Sequence, residues 1–253
     1  FVGLQNFVKL FHDSSFIISF KNTIYYAVFT VPLTMVAALL IAIPLNSKIK
    51  GIVIYRTAFF FPYVASLVAV GAVWNMLFQP EFGPINEFLK WIGIANPPKW
   101  CASTDWAMSV IIIVSVWKYM GYYMVVYLAA LQGISGDLYE AARVDGANSI
   151  QIFFKITLPY MLYVTTPYLI ATFTGNVNNF NIIYLLSGGD PITDLSSTAG
   201  STDLLVTWLY KLTVDKQYYN IGAVIGILTF IILAVGALFT YRRSKSYKEE
   251  GGF

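Results

Sequence analysis

The chain has 253 residues, of which 57% are hydrophobic and 11% are charged, and its mean hydropathy is +0.65. Soluble domains carry about 25% charged residues, so this composition excludes an ordinary soluble globular protein and predicts an integral membrane protein with lipid as its main solvent. A net charge of +3 needs only basic anchors at a membrane surface and gives no support to nucleic-acid binding.

Five segments are long and apolar enough to cross a bilayer, because a hydrocarbon core of about 30 Å needs roughly 20 apolar residues per helix. Their apolar runs are continuous and contain no acidic residue, which predicts helices rather than barrel strands. We therefore expect an all-α, polytopic membrane helix bundle, with residues 1–253 forming a single membrane domain. The predicted spans are 22–45, 57–78, 106–131, 161–186 and 221–241.

Basic residues predict the orientation, because they concentrate in short cytoplasmic loops. The segments 46–56, 132–160 and 242–253 hold nine Lys and Arg in 52 residues, whereas the other connecting segments hold six in 82. We expect an external N-terminus, a cytoplasmic tail and, since the chain starts at Phe1 without a signal-like segment, an earlier helix before it. The nine are Lys48, Lys50, Arg56, Arg143, Lys155, Arg242, Arg243, Lys245 and Lys248.

Lys118 is the only charged residue inside any predicted span. A charge at that depth costs about 3 kcal/mol or more on an insertion scale, so the side chain needs a cavity or a partner. Three interpretations stay open: a cavity-lining donor to substrate hydroxyls, a salt bridge to an acid of a partner subunit, or snorkelling towards an interface.

The loop 132–160 is polar and separates two apolar spans. Ser135 can cap a short helix from Asp137 to Asp145, and Gly146 can end it with φ above zero. The spacing places Leu138, Ala141, Ala142 and Asp145 on one narrow face of this helix.

A second short helix can start at Asn148 or Ser149 and run to Thr157, with Pro159 leading into the fourth span. On spacing alone, the loop is equally well explained as an interfacial pair of helices that seals the bundle against lipid headgroups.

The fourth span carries a polar cluster in which Thr172, Asn176 and Asn179 follow an i, i+4, i+7 pattern. Asn amides offer paired donors and acceptors that suit a hydroxyl-rich ligand. The alternative is hydrogen bonding between helices, worth about 0.6 kcal/mol per bond on average.

No set of side chains for catalysis or metal binding can be assembled, since His12 and Cys101 are the only residues of their types. The sequence also lacks a phosphate-binding P-loop. We therefore predict no catalytic residue, no metal and no cofactor, and any ATP hydrolysis has to come from a partner subunit.

The loop also carries a recognisable pattern: Glu140-Ala141-Ala142, then Gly146, Ile156 and Leu158-Pro159. It resembles the EAA loop of bacterial ABC-importer permeases at all seven fixed positions. In that family the loop is a coupling helix that docks into a separate ATP-binding subunit. The resemblance implies that the residues facing the ATPase are Glu140, Ala141, Ala142, Arg143, Asp145 and Gly146.

Most of the chain is similar to sugar-importer permeases, above all to the larger permease subunits for maltose and maltodextrins. The similarity lies in residues 1–7, 59–63, 176–181, 185–189 and 202–206. It implies a type I ABC-importer permease in the bacterial inner membrane that moves an oligosaccharide by alternating access. The implied partners are a second homologous permease subunit, a dimer of cytoplasmic ATP-binding subunits and an extracellular sugar-binding protein.

The same resemblance implies which residues line the sugar site: Tyr119, Tyr122, Thr172, Gly175, Asn176 and Asn179. Gly175 departs from the family pattern, which has an aromatic residue there, so Phe173 or Tyr122 is expected to supply the stacking surface instead. Two alternatives remain: a secondary transporter or channel component in which Lys118 and the Asn cluster handle an ion, and an ABC permease for another solute such as a glycerol-phosphate.

Overall fold

The computed structural model describes residues 2–47, 49–192 and 196–243. Within these ranges the chain is helical and contains no β-strand, which confirms the predicted all-α bundle. Lys48, Lys245, Lys248 and the side chain of Arg243, used above to predict orientation, lie outside the described part. The α-helices are α1 (Gln5–Phe11), α2 (Ser14–Leu45), α3 (Ile52–Val64), α4 (Leu67–Leu77), α5 (Pro84–Trp91), α6 (Ala107–Gln132), α7 (Gly136–Val144), α8 (Ser149–Ile152), α9 (Leu158–Val177), α10 (Asn181–Leu186), α11 (Leu205–Tyr210) and α12 (Tyr219–Arg243).

Three described helices are long and apolar enough to span a membrane: α2, α6 and residues 219–238 of α12. The pair α3 and α4 adds a fourth if it is counted as one broken span. The continuous helix predicted over 57–78 is therefore wrong, because α3 ends at Val64 and α4 begins at Leu67. The break lies at Ser66, whose backbone is extended with a φ of −55° and a ψ of 130° and so cannot continue the helix.

The fourth predicted span, 161–186, is also divided. Helix α9 ends at Val177, and α10 begins at Asn181 after a short break. Asn side chains compete with backbone groups for hydrogen bonds, so a run rich in Asn between 176 and 181 favours a helix end. Helix α9 is not among the described helices that pass the length and hydropathy test, so a fifth span stays a prediction.

The backbone divides into two compact units. Unit 1 comprises 1–31, 65–115 and 173–235, and unit 2 comprises 32–64, 116–172 and the chain from Gly236 onward. The core of unit 2 lies between α2 and α6, where Ala38 and Ala42 are fully buried and allow close helix packing. Other buried members of this core are Leu45, Met124, Tyr127, Leu128, Ala130, Leu131, Ile134 and Met161.

Unit 1 has its own core, built around the fully buried Trp208 of α11. Its indole N–H donates to Thr198 Oγ1 at 2.9 Å, which satisfies the polar edge of the ring. The remaining buried members are Leu10, Phe16, Ala199, Leu205, Leu212, Val224 and Ile225. This core therefore fixes the segment before α11 against α1, α2 and α12.

Candidate functional site

Helix α7 begins and ends within one residue of the bounds predicted from the sequence. The backbone N–H of Asp137 donates to Ser135 Oγ at 3.3 Å, and Gly146 has a φ of +78°. The N–H of Gly146 donates to the Arg143 carbonyl at 3.1 Å, and the N–H of Ala147 donates to the Ala142 carbonyl at 2.9 Å. These two bonds form a Schellman motif, which needs a residue with positive φ at the position of Gly146.

The N-terminus of helix α8 is stabilised by a reciprocal capping box, which was not predicted from the sequence. Gln151 N–H donates to Asn148 Oδ1 at 2.9 Å, and Asn148 N–H donates to Gln151 Oε1 at 2.8 Å. The signal was present as an Asn followed three residues later by a Gln.

The chain is helical up to Thr157 as predicted, but residues 153–157 form a wide π-helical turn that leads directly into α9. Pro159 explains the change. It lacks the N–H that would bond to the carbonyl of Lys155, so the regular i to i−4 ladder is interrupted there.

We call residues 133–157 the α7–α8 loop, and tyrosine hydroxyls anchor it. Tyr139 OH lies 3.2 Å from Thr157 Oγ1, and Tyr160 OH donates to the Gly133 carbonyl at 3.2 Å. Tyr139, Ile156 and Tyr160 also pack on the core of unit 2. Both ends of the loop are therefore attached to the helices of the same unit.

The outward side of the α7–α8 loop combines charge with apolar area. Glu140, Arg143 and Asp145 are exposed and belong to none of the ion pairs in the described residues. Of the other residues predicted to face a partner, Ala141 and Gly146 are exposed and Ala142 is half-buried. Exposed apolar side chains grouped on one element are typical of an interaction surface. They are Leu138, Val144, Ile150 and Phe154.

A tyrosine cluster in unit 2 contains three of the predicted sugar-site residues. The Tyr122 ring stacks on Tyr63 with centroids 4.9 Å apart, and Tyr119 meets the same Tyr63 ring edge-on at 6.3 Å. Tyr123 contacts the Tyr122 ring and shares a hydrogen bond with the hydroxyl of Thr172. Sequence reasoning did not assign Tyr63 or Tyr123 to the site, although they connect its members.

The other predicted sugar-site residues lie in unit 1. Asn179 Nδ2 donates to Tyr26 OH at 2.8 Å, and Tyr26 OH is also 2.8 Å from Ser115 Oγ. Tyr26 and Ser115 are both fully buried. Asn176 is buried, whereas Gly175 is exposed and has open space where a Cβ would stand. The predicted i, i+7 helical relation between Thr172 and Asn179 is wrong, since α9 ends at Val177.

Lys118 is buried, with 3% of its surface exposed. Its ammonium donates to the carbonyl of Pro62 at 2.9 Å and to that of Tyr63 at 3.1 Å. A cation at the C-terminal end of a helix interacts favourably with the last carbonyl groups and the helix dipole. Within unit 2 the side chain thus caps α3, a role absent from the three interpretations offered by the sequence.

Known proteins similar to this chain are transport permeases. The chain is 34% identical to the probable ABC transporter permease protein YurN of Bacillus subtilis, over 99% of this chain and 84% of that protein. It is 34% identical to the galactooligosaccharides transport system permease protein GanP of B. subtilis and 37% identical to the maltose/maltodextrin transport system permease protein MalF of Salmonella typhimurium. These two matches include 98% and 94% of this chain, respectively. The chain spans only 60% of the length of GanP and 47% of the length of MalF.

The fold agrees with these similarities. A chain in the crystal structure of a bacterial alginate ABC transporter, in complex with an alginate pentasaccharide-bound periplasmic protein, superimposes with a TM-score of 0.81 at 26% identity. The match covers 97% of this chain and 83% of that one, which identifies the type I ABC permease fold. A sequence model of one family matches residues 15–245. The chain therefore belongs to the family of binding-protein-dependent transport system inner membrane components.

Proposed function

We propose that this chain is the permease subunit of an ATP-driven importer for carbohydrates, and that its α7–α8 loop receives the movement of a separate ATPase. The observation that carries the proposal is the construction of this loop. Two capped helices, held by Tyr139 and Tyr160, present Glu140, Arg143 and Asp145 outward among exposed apolar side chains. A rigid element attached at both ends can transmit a displacement to the helices on either side of it.

The partners follow from the same proposal. A subunit without a phosphate-binding loop needs an ATP-binding dimer on the cytoplasmic side, and a second homologous permease subunit completes the translocation path. An extracellular sugar-binding protein delivers the cargo, which is supported by the binding-protein-dependent family and by the relative solved with a periplasmic protein. Alternating access by rocking of rigid helix groups is the corresponding mechanism.

For the cargo we propose a neutral oligosaccharide, of the maltose and maltodextrin class or related to it. The names of GanP and MalF support this class. An anionic cargo such as alginate or a glycerol-phosphate calls for cationic side chains that pair with it. Lys118 is the only charge in the five predicted spans, and its ammonium already donates to two backbone carbonyls.

The residues proposed to meet the sugar are those expected from the sequence. Tyrosine rings offer flat apolar surfaces with a hydroxyl at the edge, while amides and hydroxyls offer the paired donors and acceptors that sugar hydroxyls require. A Cβ at Gly175 would meet open space, which leaves room for a ligand there, and the Tyr63–Tyr122 stack offers an aromatic surface within unit 2. The proposed set is Tyr119, Tyr122, Thr172, Gly175, Asn176 and Asn179.

The test is affinity purification from the native membrane in mild detergent, with the wild type beside Glu140→Lys. We expect an ATP-hydrolysing subunit to accompany the wild type and to be lost from the variant, because the reversed charge sits on the docking surface. Glu81→Lys is the matched control, since it reverses an exposed acid outside the α7–α8 loop and leaves the partner bound. Absence of an ATPase from all three preparations would overturn the proposal and favour a secondary transporter.

A further inference from the structure

The last turn of α3 is attached to one face of α6. Lys118 of α6 donates to the carbonyls of Pro62 and Tyr63, which are near the C-terminal end of α3 at Val64. Because α3 stops there, these carbonyls have no helical N–H to accept from, and an apolar environment offers few other donors. The ammonium of Lys118 supplies them.

A second contact one turn along α6 fixes the same helix. A Cβ at Gly121 would overlap the carbonyl oxygen of Phe59, so only glycine allows the α3 backbone to approach this closely. Residues 118 and 121 are three apart and lie on the same face of α6. They hold α3 at two levels, which prevents α3 from sliding or rotating along α6 without breaking one of the two contacts.

The third contact on this face involves an aromatic ring. Tyr122, four residues after Lys118, stacks on Tyr63 at 4.9 Å with an angle of 26° between the rings. Tyr63 is therefore held twice, by its carbonyl through Lys118 and by its ring through Tyr122. Tyr63 remains 37% exposed, so part of its surface is accessible to a ligand.

We propose that Lys118 is a positioning residue for sugar recognition: its ammonium fixes the end of α3, and so sets the place of Tyr63 in the tyrosine wall formed with Tyr119 and Tyr122. Lys118 does not itself contact the sugar in this arrangement. The inference rests on the proposed sugar-permease function, and it explains how a lysine is accommodated in a predicted span while serving a neutral cargo.

The experiment measures ATP hydrolysis by the complex purified from its native membrane and mixed with the sugar-binding protein of the same cell. Maltotriose and a galacto-oligosaccharide are the probes, and the sugar that stimulates the wild type is used for the variants. For Lys118→Met we expect about a fivefold rise in the half-saturating sugar concentration, since a displaced stacking surface weakens binding by that order. Maximal hydrolysis and subunit assembly stay within about twofold of wild type.

The decisive comparison is a double-mutant cycle with Tyr63→Ala. If Lys118 acts through Tyr63, the double variant is no weaker than Tyr63→Ala alone, because the second change removes nothing further. Multiplying effects would show that Lys118 contacts the sugar directly, and an unchanged half-saturating concentration in Lys118→Met would show that it has no part in recognition. Either result overturns the inference.

Two further variants keep the result interpretable. Lys90→Met is the control, because it removes an exposed lysine of α5 that has no part in the contacts between α3 and α6. This variant is expected to behave as wild type. If Lys118→Met does not assemble, the cycle is repeated with Lys118→Arg, whose displaced donors should raise the half-saturating concentration in the wild-type background but not further in Tyr63→Ala; a rise in both backgrounds contradicts positioning. Failure of either sugar to stimulate the wild-type complex would count against the proposed function rather than against this inference.

Discussion

Lys211 and Asp203 form a buried ion pair in unit 1, with Lys211 Nζ 2.7 Å from Asp203 Oδ2 and the carboxylate side chain inaccessible to solvent. The same carboxylate accepts from the Gly200 N–H at 2.8 Å and from Thr207 Oγ1 at 2.9 Å. Burial raises the pKa of Asp203 above its usual range, while the charge and hydrogen bond of Lys211 lower it in part. These contacts join Gly200, Asp203, Thr207 and Lys211 around α11 in unit 1.

Removing one partner of this pair is expected to be strongly destabilising. Lys211→Met leaves the buried carboxylate without its cation, which typically costs about 3 kcal/mol or more. Thermal unfolding in detergent measures the loss, and Lys216→Met, at an exposed lysine of the following segment, is the matched control.

The same variant has a predicted pH dependence. Loss of Lys211 removes a group that lowers the Asp203 pKa, so the folded-state pKa rises further. When the folded-state pKa of an acid lies above its unfolded-state pKa, the stability is full below the unfolded-state pKa. It is lost as the pH rises through the folded-state pKa. The melting temperature of Lys211→Met should therefore recover towards that of wild type on acidification, and a deficit that does not change with pH would contradict the assignment.

Two adjacent glycines next to this pair provide an internal comparison. Both Gly188 and Gly189 have positive φ, at +62° and +90°, but only a Cβ at Gly189 would overlap the Asp203 carboxylate. Gly188→Ala adds left-handed strain of about 1 kcal/mol, whereas Gly189→Ala adds the same strain and displaces the ion pair. Melting temperatures should rank wild type above Gly188→Ala and Gly188→Ala above Gly189→Ala. Equal values for the two variants would mean that the pair adjusts freely.

The capping box of α8 is expected to matter for coupling more than for folding. Asn148→Ala removes one half of the box, which weakens the start of α8 by about 1 kcal/mol. Asn148→Ser keeps a capping oxygen and should restore most of the loss. The readout is the ratio of sugar-stimulated to basal ATP hydrolysis in the assembled complex, which we expect to fall in the alanine variant alone. A similar fall in the serine variant would place the effect elsewhere than in the cap.

The two predicted sugar-site asparagines should behave differently. Asn176→Ala is expected to weaken sugar-stimulated ATP hydrolysis more than basal hydrolysis. Asn179→Ala removes the donor to Tyr26 as well as a proposed sugar contact, so it should also lower basal hydrolysis, and Tyr26→Phe should reproduce that loss of basal hydrolysis. If Asn176→Ala lowers both activities equally, its amide stabilises the bundle and does not recognise sugar.

Local signals in the sequence were sufficient for the α7–α8 loop. A serine before an acidic first turn and a glycine after the last turn specify helix ends through contacts within a few residues, and the structure confirms both at Ser135 and Gly146. The tyrosine anchors were not predictable in this way. Tyr160 and Gly133 are 27 residues apart, so their contact depends on how the chain folds back.

The same distinction explains the incorrect predictions. Hydropathy does not reveal that the apolar run 57–78 breaks between Val64 and Leu67, because the helices on both sides of the break are apolar. In a continuous helix, the carbonyls of Pro62 and Tyr63 would accept from N–H groups of the next turn and would not need Lys118. The capping role of Lys118 therefore could not be predicted without the break. The three interpretations of Lys118 did not include the end of α3, which is the feature that explains why a lysine is buried there.

Every residue of the turn between α7 and α8, 145–148, takes part in capping one of the two helices. The four backbone N–H groups of this turn, from Asp145 to Asn148, are all engaged: the first three donate to carbonyls of α7, and the fourth donates to the side chain of Gln151. A residue inserted or deleted here would therefore have to break one of the two helix caps. The number of residues in this turn is thus constrained more tightly than their identities, and a one-residue insertion should disconnect two otherwise intact helices.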